Sequence, residues 1–432
     1  MFINDIGSII QSIIEIPQDI LDYQQLKLKK LFSALKGNAR VMMVTLPAFS
    51  FPQAWFLFYQ QLYFLSLGVE KSQLGLLMAL SLGTQVIGGI LGPSFCNRWG
   101  HKKTLNLIGI IAWPAGLLTL AFAQNIWWII LGVMISNVIT IVNPAWSCLF
   151  VEGIPRAGRQ KNYAIAHMLI TGASLTMPFA GWLVGWLDVK LATRIFYITG
   201  AVLAVWGIYY RHKYLVETRE GKESVYAHKV LNPLGELKDI LSSIEGLGRK
   251  KSLLWFIFVQ MLFSFALTLW SVYTTVFLTD KNSVGLDASS ISVLPILMSL
   301  ILIFTILVVV PVVKKKEAKK YIFAGIILNA AAAFLFVVTP LKGTAYIALS
   351  YMLYGLGIAF FRPFSDSALL NLLSEGARTR LLSLSNTLVL LSSVFAGLSA
   401  SVFYSISPIL NFGVVTAVFL LAALIFWKKC KL

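Results

Sequence analysis

Long uninterrupted apolar runs, separated by short clusters of charge, repeat along nearly all of this chain. A helix needs about 20 apolar residues to cross the hydrocarbon of a bilayer. The pattern predicts twelve such spans: Val41 to Leu67, Leu74 to Phe95, Thr104 to Ala123, Ile126 to Phe150, Tyr163 to Leu187, Leu191 to Tyr210, Leu253 to Leu278, Ser289 to Val313, Tyr321 to Pro340, Thr344 to Leu373, Leu381 to Ser405 and Pro408 to Trp427. In lipid, backbone polar groups must be satisfied inside the segment. The runs lack the alternation of barrel strands, so they are helices. Ahead of them, isoleucines at positions 3, 6, 9, 10, 13 and 14 and the apolar residues up to Phe32 are spaced as an amphipathic helix on the membrane surface, broken near Pro17.

The spans fall into two similar sets. FSALKGNAR (Phe32–Arg40) precedes the first span and LSSIEGLGR (Leu241–Arg249) the seventh. GVEKS (Gly68–Ser72) follows the first and GLDAS (Gly285–Ser289) the seventh. Pro144 precedes Arg159 by the same spacing as Pro363 precedes Arg378. A duplication with small insertions leaves matches whose offset grows slowly in this way. Six crossings return the chain to the same side, so the copies are parallel. The expected fold is an all-α membrane protein of twelve transmembrane helices in two six-helix parallel repeats around a central cavity. Its expected parts are a cytoplasmic amphipathic segment (1–40), a six-helix bundle (41–210), a charged cytoplasmic linker with Asn232-Pro233 (211–252) and a second bundle (253–432).

Composition agrees. Of 432 residues 58% are hydrophobic and 12% charged, against about a quarter charged in soluble domains. The net charge of +18 is dispersed over loops rather than gathered in a patch, which argues against nucleic acid as a partner. Most of the basic residues fall on one side if both termini lie in the cytoplasm, with Lys71, Lys190, Arg194, Lys281 and Lys342 opposite; this is the positive-inside pattern of a cytoplasmic membrane. Cys96, Cys148 and Cys430 fall near the cytoplasmic face, without metal-ligand spacing, so no disulfide is expected.

Between the second and third spans the chain reads GPSFCNRWGHKKTL (Gly92–Leu105). This resembles the loop signature of the major facilitator superfamily, Gly-x-x-x-Asp-Arg-x-Gly-Arg-Lys-x-x-Leu. Arg98, Gly100, Lys102 and Leu105 match; Pro93, Asn97 and His101 depart. The end of the fourth span, with Glu152 and then Arg159, is similar to the family as well. The resemblance implies a conformational gate built on Asn97, Arg98, Gly100, His101, Lys102, Glu152 and Arg159. Asn97 cannot supply the family's negative charge, which leaves Glu152 to partner Arg98 or Lys102. MPFAGWLVG (Met177–Gly185) matches the family's antiporter motif only faintly, and Gly181 and Gly185 read better as close helix packing.

Two charged residues lie well inside the spans, Arg362 and Asp366, one turn apart on a helix face. A charge at that depth usually faces a cavity or a partner. The repeat pairs them with Asn143 and Ser147. Trp55 and Tyr59 in the first span, and Trp270 and Tyr273 in the seventh, offer rings with polar tips suited to a partly apolar or sugar-like ligand. These eight residues are the candidate substrate contacts. Asp366 and His167 are the candidates for proton coupling. Gln60, Gln61, Thr171, Ser174, Thr274, Thr275 and Asn386 are further polar residues within spans. No nucleotide-binding, zinc-protease or serine-hydrolase motif occurs, and neither a cofactor nor a metal is expected. The sequence reads as a non-enzymatic, monomeric secondary transporter working by alternating access on a small organic molecule, with membrane lipid around it and protons as a candidate coupling partner. Export of amphipathic drugs or lipids, and a non-transporting receptor of the same fold, are the alternatives.

Overall fold

The computed structural model describes residues 37–151, 154, 156–227, 235, 251–306, 318–372 and 378–430. The amphipathic segment 1–36, most of the linker, Glu152 and the side chain of Arg159 lie outside the described residues. So does the stretch 307–317.

The spans are helices throughout. In the first half they are α1 (Gly37–Ser66), α2 (Lys71–Trp99), α3 (His101–Ala121), α4 (Ile126–Val151), α5 (Arg156–Gly172, continued through Ala173–Thr176 to Met177–Leu187) and α6 (Val189–Tyr214). In the second they are α7 (Lys251–Thr279), α8 (Ser290–Phe304), α9 (Ala318–Val338), α10 (Thr344–Leu372), α11 (Arg378–Ile406) and α12 (Pro408–Lys429). Eleven of these described helices are long and apolar enough to cross a membrane. The described part of α8 is shorter, and it stops next to residues outside the described set.

Proline sets where the helices depart from regular geometry. Tight turns at Val138–Val142, Ala173–Thr176 and Ser290–Val293 each run into an X-Pro step, at Pro144, Pro178 and Pro295. A wider turn at Ile111–Ala115 contains Pro114. Proline lacks the backbone donor and clashes with the preceding turn. Inside a membrane such irregular backbone survives where it lines a cavity or is buried in protein, and Trp113, Ile139, Thr140, Ser174 and Pro295 all line the central cavity.

In the first half α1 packs on α6, and α4 on α2 and α3; in the second α9 packs on α10 and α12, and α7 on α11 and α12. The halves meet through α2 with α11, α5 with α8, and α1 with α7. Counting six helices on, α2 corresponds to α8 and α5 to α11. The first two interfaces are therefore copies of one another, as an axis along the membrane normal requires. The outer surface is apolar and carries an aromatic belt at each end: Trp127, Trp182 and Trp186 at one, Tyr209, Tyr214 and Trp427 at the other, all exposed. The end that carries the α2–α3 loop and the short helix Arg219–Ala227 is called the basic end below; the opposite one is the far end.

Candidate functional site

At the far end the halves are joined. The Tyr59 hydroxyl donates to the Ala288 carbonyl at 2.9 Å, and the Tyr273 hydroxyl to the Lys71 carbonyl at 2.6 Å. Tyr59 and Tyr273 are repeat equivalents, and so are Lys71 and Ala288. One hydrogen bond is thus made twice, in opposite directions across the joint. Lys71 Nζ also pairs with Asp280 Oδ2 at 2.5 Å. Burial would raise the Asp280 carboxyl, but the bonds from Lys71 and from the Asn282 backbone outweigh it and hold the group below its ordinary value. Glycines bring the backbones together. A Cβ on Gly397 would stand 2.9 Å from the Ala79 nitrogen, and one on Gly181 would stand 2.6 Å from the Ser289 carbonyl.

Toward the basic end the halves part. Asn143, Ser147, His167, Arg362, Asp366 and Asn386 are exposed there. Arg362 and Asp366 form no ion pair among the described residues, but Asp366 lies within electrostatic range of both Arg362 and His167. α5 and α10 thus bring the two proton-coupling candidates and the membrane arginine to one opening.

Between joint and opening lies a cavity of about 800 Å³. It is walled by α1–α6 of the first half and by α7, α8 and α10 of the second. Its polar groups are amides and hydroxyls, among them Gln53, Gln60, Gln61, Gln85, Asn137, Ser174, Thr274 and Thr275, with the rings of Trp270, Tyr351 and Tyr354. No charged side chain among the described residues lines it. Gln85 Nε2 donates to Asn137 Oδ1 at 2.9 Å, which fixes both amides on the wall. Tyr354 lies within electrostatic range of Arg362, linking cavity and opening.

Of the eight candidate substrate contacts, Trp270 lines this cavity, stacked on Tyr354 at 5.3 Å. Tyr59 and Tyr273 stand in the joint instead, because their hydroxyls reach carbonyls of the other half. Trp55 is held between α1, α5 and α6: its indole N–H donates to Thr176 Oγ1 at 2.7 Å and its ring lies against Phe179 and Phe196. Asn143 lines a smaller side cavity, together with His167. Ser147, Arg362 and Asp366 stand at the opening outside the cavity wall. Sequence reading passed over Gln53, Gln85, Asn137, Tyr351 and Tyr354. The lone amides within apolar runs were the available signal for three of them.

At the basic end the α2–α3 loop has an acidic partner that the sequence did not single out. Glu217, just beyond α6, accepts the backbone N–H groups of His101 (3.0 Å) and Lys102 (2.9 Å). These are orphan donors at the start of α3, where a carboxylate also meets the favourable end of the helix dipole. Gly100 turns there at φ +80°, and a Cβ on it would meet Glu217. His101 Nδ1 lies 2.5 Å from Thr218 Oγ1. Asn38 binds both backbone groups of Val216, so the start of α1 holds the same segment. Asn97 is half-buried and Arg98 exposed.

Solved structures that resemble this chain include transporters. The nucleoside transporter NupG superposes with a TM-score of 0.72 at 14% identity, over 91% of this chain and 100% of that one. A D-xylose-proton symporter gives 0.71 at 16%, over 90% and 97%, and a peptide transporter, POT, gives 0.67 at 15%, over 89% and 92%. No curated protein matches the sequence. The family model of the Major Facilitator Superfamily matches residues 41–397, the whole stretch from α1 into α11, and the chain belongs to that superfamily.

Proposed function

We propose that this chain is a secondary carrier in the cytoplasmic membrane that moves a small, neutral, polar molecule with a ring by alternating access. The basic end faces the cytoplasm, so the conformation described is open inward and closed outward. One observation carries the reading: a cavity of about 800 Å³ between two related halves, sealed at one end by a doubled hydrogen bond and parted at the other. Uncharged amides and hydroxyls among aromatic faces suit a sugar-like or nucleoside-like solute. The nucleoside and xylose transporters among the similar folds belong to the same chemical range.

The test is counterflow in proteoliposomes with radiolabelled uridine, xylose and a dipeptide, beside binding to the purified chain. The account expects saturable exchange of a neutral ring-bearing solute, and Gln85→Ala should weaken its binding about 10-fold by removing a half-buried hydrogen-bonding amide from the cavity wall. Binding without flux would identify a receptor. Exchange of amphipathic drugs alone would identify an exporter.

Asp366 is the proposed proton acceptor, since it lies at the opening within electrostatic range of both Arg362 and His167. Asp366→Asn is expected to abolish uphill accumulation driven by a pH gradient and to spare counterflow. Undiminished accumulation would assign the carboxylate to shaping the opening.

A further inference from the structure

A second cavity, of about 350 Å³, lies wholly within the first half among α1, α3, α4, α5 and α6. Arg211 lines it from the last turn of α6 and is 7% exposed. The sequence places this arginine in the cytoplasmic linker; the structure places it inside the bundle. Its Nε–H donates to Thr45 Oγ1 at 2.8 Å, and one face of the guanidinium rests on the Phe49 ring, 4.3 Å from its centroid. Those contacts leave the two terminal amino groups, which no acceptor takes among the described residues. No carboxylate among those residues lines the cavity. Ser50 lines the same space, and its buried hydroxyl is also without a hydrogen-bond partner.

A guanidinium withdrawn from water without an anion is costly. Its free edge is a planar fork that matches a carboxylate or phosphate through two parallel bonds. Trp113 and Trp146 line the cavity with it and offer faces to an apolar body. We infer that this cavity is an anion-binding site, taking a carboxylate or phosphate on Arg211 and Ser50 with a ring against the tryptophans. It adjoins the central cavity at Gln53, Trp113 and Ile139, which line both. Among the described residues its walls come from one half alone. The inference does not rest on the carrier reading, and its test needs no flux.

The test is calorimetric titration of the purified chain with benzoate and with inorganic phosphate, and of the chain in nanodiscs containing phosphatidylglycerol or only phosphatidylcholine. The expected result is saturable benzoate or phosphate binding, weakened at least ~10-fold in Arg211→Met, partly retained in Arg211→Lys and unchanged in Lys190→Gln, an exposed cation that lines neither cavity. Loss of benzoate binding only in phosphatidylglycerol nanodiscs would identify a lipid headgroup as the resident anion; equal binding in both would identify a free solute. No binding of any of these probes, or binding that Arg211→Met leaves unchanged, overturns the assignment. If Arg211→Met does not fold, Ser50→Ile crowds the same space with the cation in place, and unchanged benzoate affinity there overturns it equally.

Discussion

Tyr59 and Tyr273 each contribute one hydroxyl to the joint between the halves. A single such bond contributes about 1 kcal/mol net. Tyr59→Phe and Tyr273→Phe should each move the balance toward an open far end, and the double variant by about 2 kcal/mol, roughly 30-fold in population. Maleimide labelling of a cysteine placed at Ser292, buried in the joined state, would read this as faster modification. Asp280 adds a pH dependence of definite sign. Its carboxyl is held below the ordinary value in the joined state, so its stabilisation is complete above the unpaired value and is lost as the pH falls through the lowered one. Acid should therefore open the far end, and Asp280→Asn should remove that response. The repeat made the correspondence of the two tyrosines legible. Their acceptors were not legible, because a backbone carbonyl leaves no mark in sequence and its position depends on how the halves meet. Arg211 was hidden for a related reason: among Tyr210, His212 and Lys213 it reads as one more interfacial charge, and only α1, through Thr45 and Phe49, takes it inside.

Helices α2 and α11, and likewise α5 and α8, approach closely enough that small residues at the contact are required. Gly397→Leu or Gly181→Leu would force backbones apart at the far end, at a cost of about 1–3 kcal/mol to the joined state. The expected readout is a longer spin-label distance across the far end with little change at the basic end. Glu217 acts at the start of α3. Glu217→Ala leaves the N–H groups of His101 and Lys102 without their acceptor, costing about 1–3 kcal/mol locally, and faster hydrogen exchange at those two amides would show it. The helices and the signature loop were readable from apolar run length and from Arg98, Gly100 and Lys102. The loop's acidic partner was sought at Glu152, which lies outside the described residues. Glu217 comes from a distant part of the chain and accepts its hydrogen bonds from the loop's backbone, with the His101 ring 4.0 Å away, so no local pattern announced it.

Across the whole molecule, two related bundles enclose a neutral, aromatic cavity, with Arg362, Asp366 and His167 at its opening and Arg211 in a chamber beside it. Charge is the louder signal within apolar runs, and it led toward the opening. The cavity wall is built from amides and hydroxyls, which become a site only when eight or more helices converge on them. The proposed alternation about this cavity requires the far-end joint to break in every cycle. The most direct measurement is counterflow of the transported solute with that joint locked. Lys71→Cys and Asp280→Cys, in a chain whose three native cysteines are serine, would be bridged by a short cleavable cross-linker in proteoliposomes. The account predicts that exchange stops on cross-linking and returns when the linker is cleaved; exchange at the full rate with the far end locked would contradict it.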